Sequence, residues 1–567
     1  MNSYTHNNIN IFRYFFEKYK IQTFIVMVGE FLVGILDGIG IAAALPLIAL
    51  VVQKEQRVET ELYSYVEFLI EKFGFDLTLE TIIMTLIVIF MVKAGIKYAL
   101  SLYNAHLSSK IVLDFRRALT GTLLRSRWSF FIACPLGELT NSLILEAARS
   151  GGCFRSMINL FSAFVQITVL GYIAYAASWE LALFSFGTGA LLWFLFHGYI
   201  VKSRSAGMRQ KDVSKKIMSY ISDILQNYKS LKAMGSETPV FKNIDYQIQK
   251  IFEITKTQYI LKQGLIILYE PVIIIFMCAA MYISIKFLNV EISILMIFTV
   301  IIYRFSLAAR SMQSSYQTLN EQQSFFWSFQ TILQEAREAR ETFDKVNNLN
   351  FKKSIVFENV SFSYGDKPVI NNCSFTIPVN SITNIAGSSG TGKTTVIDLL
   401  CGLYKTSGGF IKVDGQNLND LDIKAWRSKI GYVAQEFVVF NDTILNNITL
   451  GDAAVSENDV IKALKDAEAW DFVENLPDVL HTQLGEKGAR LSGGQRQRVS
   501  IARALVRRPS VLILDEAMAS LDPQTEKEIW VTLKKLSRNM AVIAISHQNT
   551  ARRYSDNIIN LEPINQK

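Results

Sequence analysis

Apolar residues are concentrated in the first 310 positions of the chain, in runs long enough to cross a bilayer as helices of about 20 residues. Six such spans are predicted, over residues 22–52, 79–103, 156–178, 180–201, 260–287 and 291–310. After residue 350 the mixture of apolar and polar positions is typical of a soluble α/β protein. The pattern therefore predicts a membrane all-α six-helix domain over residues 1–310 and a soluble domain over residues 351–567.

Two segments between the predicted spans, residues 104–155 and 202–259, are too long for ordinary loops. They show helical periodicity and contain few glycines or prolines, whereas a structureless loop of this length is uncommon. We expect the transmembrane helices to continue into the cytoplasm for about 30–40 Å, at about 1.5 Å per residue, and to turn back there. Residues 311–350 are predicted to form a helical linker to the soluble domain.

The distribution of charge predicts the orientation of the chain. Segment 104–155 is rich in arginine and segment 202–259 is rich in lysine, whereas the loop at 54–78 is mainly acidic. The positive-inside rule places the basic segments in the cytoplasm and the acidic loop outside, so both termini are expected in the cytoplasm. This topology accounts for the net charge of +8 without a nucleic-acid partner. The six spans exclude a soluble ATPase that acts on nucleic acid.

The sequence GSSGTGKT, residues 387–394, lies between an apolar strand pattern and a helix pattern. It fits the phosphate-binding loop GxxxxGK[ST], in which backbone N–H groups, here those of residues 389–394, surround a β-phosphate. Lys393 is expected to neutralise the phosphate charge. The hydroxyl of Thr394 is expected to coordinate Mg²⁺.

About 120 residues later, four apolar residues of VLILDEA predict a buried strand that ends at Asp515 and Glu516. An acidic pair after a strand is often only the N-cap of a helix. With a phosphate loop upstream, we interpret Asp515 as a ligand of the Mg²⁺ shell. Glu516 is interpreted as the general base that orients and deprotonates the attacking water.

A second anion-binding pattern, LSGGQRQR, occupies residues 491–498 in front of a predicted helix. Its glycines leave the backbone N–H groups of the helix start accessible, and the helix dipole favours an anion there. The chain therefore carries two phosphate-binding elements about a hundred residues apart.

Residues 354–567 resemble the nucleotide-binding domain of the ATP-binding cassette (ABC) superfamily, and the whole chain resembles a six-helix exporter half-transporter of that superfamily. GSSGTGKT resembles the Walker A motif, ILDE the Walker B motif and LSGGQ the family signature. YVAQE, ASLD and AISHQ resemble the Q-loop, the D-loop and the switch-histidine segment. The resemblance implies an α/β P-loop NTPase domain of ABC type that uses ATP and Mg²⁺.

The resemblance also implies roles for individual residues. The catalytic residues are Glu516, His547 and Gln435. The metal ligands are Thr394, Gln435 and Asp515. The ATP-binding residues are Tyr364, which stacks on adenine, then Gly387, Ser388, Ser389, Gly390, Thr391, Gly392, Lys393, Thr394 and Thr395, and finally Ser492, Gly493, Gly494, Gln495 and Asp522.

In this family the signature of one subunit completes the ATP site that is built on the Walker A motif of another. Ser492, Gly494 and the helix that follows would therefore contact the γ-phosphate of ATP held by a partner. One chain carries one copy of each element, so the resemblance implies a homodimer. A heterodimer with one degraded site is the alternative.

The resemblance implies an integral membrane protein that works as an ATP-driven exporter or flippase by alternating access. Residues 60–73 predict an amphipathic helix on the outer membrane surface. Together with GILDGIGIAAALPLI in the first span, they resemble bacterial lipid-linked oligosaccharide flippases. An amphipathic substrate such as a lipid-linked saccharide, and a bacterial inner membrane, are therefore favoured. A peptide or drug exporter is one alternative, and a non-transporting regulator or ATP-gated channel is another.

Several charged residues lie within the predicted spans. They either line a water-filled substrate pathway or form ion pairs between helices, and the sequence leaves both interpretations open. These residues are Glu30, Asp37, Lys93, Lys97, Glu270 and Arg304.

Overall fold

The computed structural model describes residues 11–52, 78–177, 179–286, 292–341, 351–518, 521–546 and 549–562. The chain divides into two compact units. The first comprises Met1–Ser126 and Phe130–Arg340, and the second comprises Arg127–Ser129 and Glu341–Lys567.

Helices form the described part of the first unit. Their bounds are α1 Ile11–Lys18, α2 Lys20–Val52, α3 Leu79–Leu123, α4 Trp128–Ala133, α5 Leu136–Asn141, α6 Ala147–Ala177, α7 Trp179–Gln226, α8 Tyr228–Ala233, α9 Glu237–Lys286 and α10 Ile292–Glu338, with a π-helical turn at Ser142–Glu146 between α5 and α6.

The long helices extend well beyond the predicted spans. Five apolar segments of the described residues, in α2, α3, α5–α6, α7 and α9, are long enough to cross a membrane, and the sixth predicted span lies in α10. Helices α3, α7 and α9 have 45, 48 and 50 residues, and short helices α4, α5 and α8 occupy the turns between them. Residues 311–338 continue α10 without a break, because no helix-breaking residue interrupts its sequence.

Small residues allow the long helices to approach closely. A Cβ atom on Gly137 would lie 2.5 Å from the backbone of Ser219, and one on Gly207 would lie 2.7 Å from the carbonyl oxygen of Glu321. Either contact is shorter than van der Waals distance, so a side chain there would push the helices apart.

The second unit contains two sheets, and its buried apolar residues form two clusters. The strands are β1 Ser354–Tyr364, β2 Lys367–Pro378, β3 Ile382–Ala386, β4 Gly408–Val413, β5 Gln416–Asn417, β6 Ile430–Val433, β7 Val511–Asp515, β8 Ala541–Ile545 and β9 Asn557–Asn560. The helices are α11 Lys393–Leu400, α12 Ile423–Arg427, α13 Ile444–Thr449, α14 Glu457–Asp466, α15 Trp470–Val473, α16 Gly493–Leu505, α17 Pro523–Leu536 and α18 Asn549–Tyr554.

The parallel sheet, in the order β6-β7-β8-β3-β9, positions the candidate site. Strands β3, β7 and β8 are buried at every position, and most of their residues are apolar. In parallel sheets, ligands bind outside the carboxyl ends of the strands. The phosphate loop follows β3 and Glu516 follows β7, so both lie at that edge, separated by β8. The antiparallel sheet has the order β2-β1-β4-β5.

Candidate active site

The phosphate loop connects β3 to α11 and depends on glycine at two positions. Gly390 and Gly392 have φ values of +84° and +89°, which residues with a side chain rarely adopt. A Cβ on Gly392 would lie 3.1 Å from a methyl carbon of Val369 and 3.2 Å from its carbonyl oxygen, whereas Gly390 faces open space. The loop is therefore held against β2 while its open side can receive a ligand.

Lys393, the first residue of α11, has its side chain folded into this loop. Its Nζ donates hydrogen bonds to the carbonyl oxygens of Gly387 and Ser388, at 3.0 and 2.9 Å. Only 8% of the residue is exposed. Both of these acceptors are neutral, so the cation is available to an anion that enters the loop.

Asp515 ends β7 and is buried, with 5% of its surface exposed. Burial raises the pKa of its carboxyl group, the charge of Glu516 raises it further, and Lys393 and a hydrogen bond from Tyr432 lower it. The Tyr432 hydroxyl donates to Oδ2 over 3.3 Å. Asp515 and the exposed Thr394 hydroxyl supply only oxygen donors, which is the donor set that Mg²⁺ prefers.

Glu516 has an unusual backbone conformation, with φ at +48°. The turn is fixed by its N–H group, which donates to the carbonyl oxygen of Ile545 over 3.1 Å. The side-chain Nε2 of Gln435 donates to Oε2 of Glu516 over 2.7 Å. Gln435 was expected to be both a metal ligand and a catalytic residue. In this structure its amide nitrogen donates to the carboxylate of Glu516, which is a stronger hydrogen-bond acceptor than a neutral group.

Tyr364 lies at the end of β1, close to the start of α11. Its hydroxyl is 3.4 Å from Oγ1 of Thr395. Its ring makes edge-to-face contacts with Phe362 and Tyr404, with centroids 4.9 and 5.3 Å apart. Tyr364 is 41% exposed, so part of its ring surface is available to stack on the base of a nucleotide.

The signature residues form the start of α16. Ser492 is the N-cap: its hydroxyl accepts from the N–H of Gln495 over 3.2 Å, and its own N–H donates to Oε1 of Gln495 over 2.8 Å. A Cβ on Gly493 would meet no atom within 4 Å, and one on Gly494 would meet only Leu521 at 3.5 Å. Within the described residues, no hydrogen bond or ion pair joins residues 492–495 to the phosphate loop.

The remaining predicted positions differ in what the structure describes. Asp522 is the N-cap of α17, and its carboxylate accepts a hydrogen bond from the N–H of Thr525 over 3.0 Å. Hydrogen bonding with Thr525 lowers the pKa of the Asp522 carboxyl group. His547 lies outside the described residues, as does the predicted external helix at 60–73.

Two residues near this site were not identified from the sequence. Tyr432 donates to Asp515 from the neighbouring strand β6. Asp398 lies one helical turn after Thr394 on α11, and burial and the nearby charge of Asp515 raise its pKa to about 6. The four-residue spacing from Thr394 was a usable signal for Asp398. No sequence signal predicts the contact of Tyr432.

Three of the charged residues in the predicted spans have partners on neighbouring helices. Lys93 forms an ion pair with Asp37, and the side chains of Lys93 and Asp37 are 13% and 15% exposed, respectively. Glu30 accepts a hydrogen bond of 2.7 Å from Ser162. Glu270 is exposed and Arg304 is partly buried. At least two of the acidic residues in α2 therefore contribute to helix packing.

Comparisons with known proteins agree with this architecture. Residues 45–316 match the model of the ABC transporter transmembrane region, and residues 370–519 match the ABC transporter model. An ATP-dependent lipid A-core flippase of Syntrophus aciditrophicus (strain SB) is 26% identical over 515 residues, which are 85% of this chain and 81% of the relative.

Further similarities have the same pattern. The heterocyst differentiation ATP-binding protein HepA of Nostoc sp. is 27% identical over 444 residues, which are 77% of this chain and 72% of the relative. A solved structure of a bacterial Atm1-family ABC exporter with ATP bound has a TM-score of 0.80 at 20% identity, and the match covers 97% of this chain and 95% of that chain. The predicted fold class, a helical membrane domain followed by an α/β P-loop domain, is confirmed, and the helix count is compatible with the six predicted spans.

Proposed function

The chain belongs to the ABC transporter family, and on this premise we propose that it is a homodimeric flippase that moves an amphipathic, lipid-linked substrate out of the cytoplasmic leaflet. The observation that carries the proposal is that one chain contains both an apolar helical unit and a candidate ATP site. In that site a phosphate loop and a candidate general base lie at the same edge of a sheet. Such a chain can couple ATP hydrolysis to movement across a membrane.

For hydrolysis, we assign the phosphates of ATP to the loop at residues 387–395. Lys393 would leave its carbonyl partners to neutralise phosphate charge, and Tyr364 would stack on the adenine. Glu516 would accept the proton of the attacking water, since a positioned carboxylate can act as a general base. Gln435 supports this role because its hydrogen bond orients the carboxylate of Glu516. His547 would contact the γ-phosphate.

Thr394 and Asp515 would hold a Mg²⁺ ion, with Gln435 as a third ligand after it releases Glu516. A bound divalent cation neutralises charge on the transferring phosphoryl group. The burial of Asp515 supports the assignment because a raised carboxyl pKa reflects a carboxylate whose charge a cation would stabilise.

The homodimer is supported by the geometry of the signature. Ser492 and the glycines that follow it leave the start of α16 uncovered, and the first N–H groups of a helix need an acceptor. The γ-phosphate of ATP on a second copy would supply that acceptor, with Gln495 holding the cap and Asp522 of the D-loop segment at the shared interface.

The relatives named as lipid A-core flippases support the substrate class. An amphipathic lipid has an apolar tail that can stay in the bilayer while its polar head crosses through the protein. The proposed location is the bacterial inner membrane, with both termini in the cytoplasm, in agreement with the positive-inside rule.

The proposal is tested by headgroup translocation in proteoliposomes that contain the purified full-length protein. ATP with Mg²⁺ should drive a fluorescent lipid-linked saccharide across the bilayer, and a fluorescent peptide should not be taken up under the same conditions. Peptide uptake without lipid translocation would replace the flippase with a peptide exporter. ATP hydrolysis that moves neither substrate, at any lipid composition tested, would favour a regulator.

A further inference from the structure

A cavity of about 280 Å³ lies within the helical unit, between α6, α7, α9 and α10. Along α7 it is lined by Phe186, Gly189, Ala190 and Trp193, which share one helical face. The cavity therefore follows α7 for about two turns, or about 10 Å at about 1.5 Å per residue. Small residues on two of the walls, among them Ala309 of α10, leave this space between the helices.

The two ends of the cavity differ in chemistry. At one end the rings of Phe186 and Phe305 pack edge-to-face, with their centroids 5.8 Å apart. At the other end the lining residues are Trp193 of α7 and Gln313 of α10. The ring of Trp193 also contacts that of Tyr316, with centroids 5.5 Å apart, so α7 and α10 run in the same direction along the cavity. None of the described residues that line the cavity is charged.

Gln313 carries a hydrogen-bond donor that no protein group satisfies in the part of the chain that the structure describes. Only 1% of the residue is exposed, and its Nε2 is buried without a hydrogen-bond partner there. Leaving a buried donor unpaired costs free energy, and nearly all such groups in folded proteins have a partner. An oxygen atom of a ligand that enters the cavity would supply the acceptor.

We propose that this cavity binds one acyl chain of the transported lipid, with the carbonyl oxygen at the head of the chain accepting a hydrogen bond from Nε2 of Gln313. The inference rests on the proposed flippase function. On the proposed topology α7 and α10 both run toward the cytoplasm, so Gln313 lies on the headgroup side and Phe186 and Phe305 lie deeper in the bilayer. A lipid of the cytoplasmic leaflet has the same arrangement, with its carbonyl near the headgroups and its chain directed to the bilayer centre.

The lining of the cavity favours a carbonyl over a phosphate as the acceptor. A phosphate oxygen carries charge, and burying a charge is costly unless a group of opposite charge pairs with it. The described lining residues supply no such group. An acyl carbonyl needs only a neutral donor, which the amide of Gln313 provides.

The proposal is tested by the binding of fluorescent acyl-saccharide lipids to purified full-length protein in nanodiscs. The nanodiscs are made of a dialkyl ether phospholipid, which brings no carbonyl groups of its own. The wild type should bind an ester-linked probe about two- to tenfold more tightly than an ether-linked probe of the same chain length, the usual worth of one hydrogen bond. Gln313→Leu should bind both probes equally, because only the ester probe loses a contact.

A second substitution tests the cavity itself. Ala309→Leu fills the space that the chain would occupy, so both probes should bind about tenfold more weakly. Ala279→Leu is the matched control. Ala279 is exposed on α9 and does not line the cavity, so the same change there should leave both affinities at their wild-type values.

Three results would overturn the proposal. Equal affinities of the wild type for the ester and ether probes would do so, whether or not the variants fold. Unchanged binding in Ala309→Leu would place the chain elsewhere. A diacyl phospholipid that displaces the probe as well as the acyl-saccharide lipid does would assign the cavity to a lipid of the bilayer. If the probes bind as expected but ATP moves no lipid in proteoliposomes, the proposed function is contradicted and the binding site is not.

Discussion

The side-chain amide of Gln435 donates a hydrogen bond of 2.7 Å to the carboxylate of Glu516. The two groups come from different segments, one after β6 and the other after β7. Because Glu516 also has a φ of +48° that is fixed by a hydrogen bond to Ile545, its carboxylate is held from both its backbone and its side chain. A base that is oriented in advance avoids reorganisation during the reaction.

The first prediction is that Glu516→Gln keeps ATP binding but slows hydrolysis about 10²–10⁴-fold, because the group that accepts the proton is lost. Steady-state phosphate release and filter-bound ATP measure the two properties on one sample. The variant should retain ATP in a closed dimer. Phosphate release near the wild-type rate would show that another group is the base.

The second prediction concerns the site shared by two copies. In a cysteine-free background, one cysteine at Ser389 and one at Ser492 should form a disulfide between chains when ATP and Mg²⁺ are added, since closure places both on either side of one nucleotide. Non-reducing gels of the purified protein give the yield. A cysteine pair at Ser492 and the exposed Ser428, away from the phosphate loop, is the control and should stay unlinked. A cross-link that is insensitive to ATP would contradict the shared site.

The third prediction concerns the ion pair between Asp37 and Lys93. Asp37→Asn leaves the mostly buried ammonium group of Lys93 without the carboxylate that pairs with it, and breaking a fully buried pair costs about 3–5 kcal/mol, which is an upper bound here. A lower melting temperature in detergent is therefore expected, and Asp37→Asn with Lys93→Gln should recover much of it. Lys97→Gln, at an exposed position of the same helix, is the matched control and should change the melting temperature little. An unchanged melting temperature in Asp37→Asn would favour the alternative interpretation, in which Asp37 lines a water-filled pathway.

The fourth prediction tests the amphipathic pattern at residues 60–73. Replacing Leu69, Ile70 and Phe73 by serine should lower lipid translocation and leave basal ATP hydrolysis nearly unchanged, because the nucleotide-binding unit is not altered. Replacing Glu67 and Glu71, on the polar side of the pattern, by serine is the control. Translocation at the wild-type rate in the triple-serine variant would remove this helix from the transport pathway.

The sequence predicted the elements whose signals are local. The spans follow from long apolar runs, and the phosphate loop follows from Gly390, Gly392 and Lys393 at fixed spacing. Helices cover the described residues of each predicted span, and the phosphate loop lies between β3 and α11. The helices run further than the apolar runs because polar residues can also continue a helix.

Contacts between distant segments could not be predicted in this way. Asp37 and Lys93 are 56 positions apart, and only the packing of α2 on α3 brings them together. The bond from Gln435 to Glu516 likewise depends on which strands are neighbours in the sheet. The residue types identified Gln435 and Glu516 as candidate site residues, but they did not predict that the two side chains bond to each other.

The unbroken length of α3 has a mechanical consequence. Its 45 residues contain no proline and correspond to a rod of about 70 Å at about 1.5 Å per residue. A rod of this length acts as a lever: a tilt of about 10° around its midpoint moves its two ends in opposite directions by about 6 Å, close to one helical turn. A small angular change delivered to one end therefore becomes a displacement of molecular size at the other end, with no change in the helix itself.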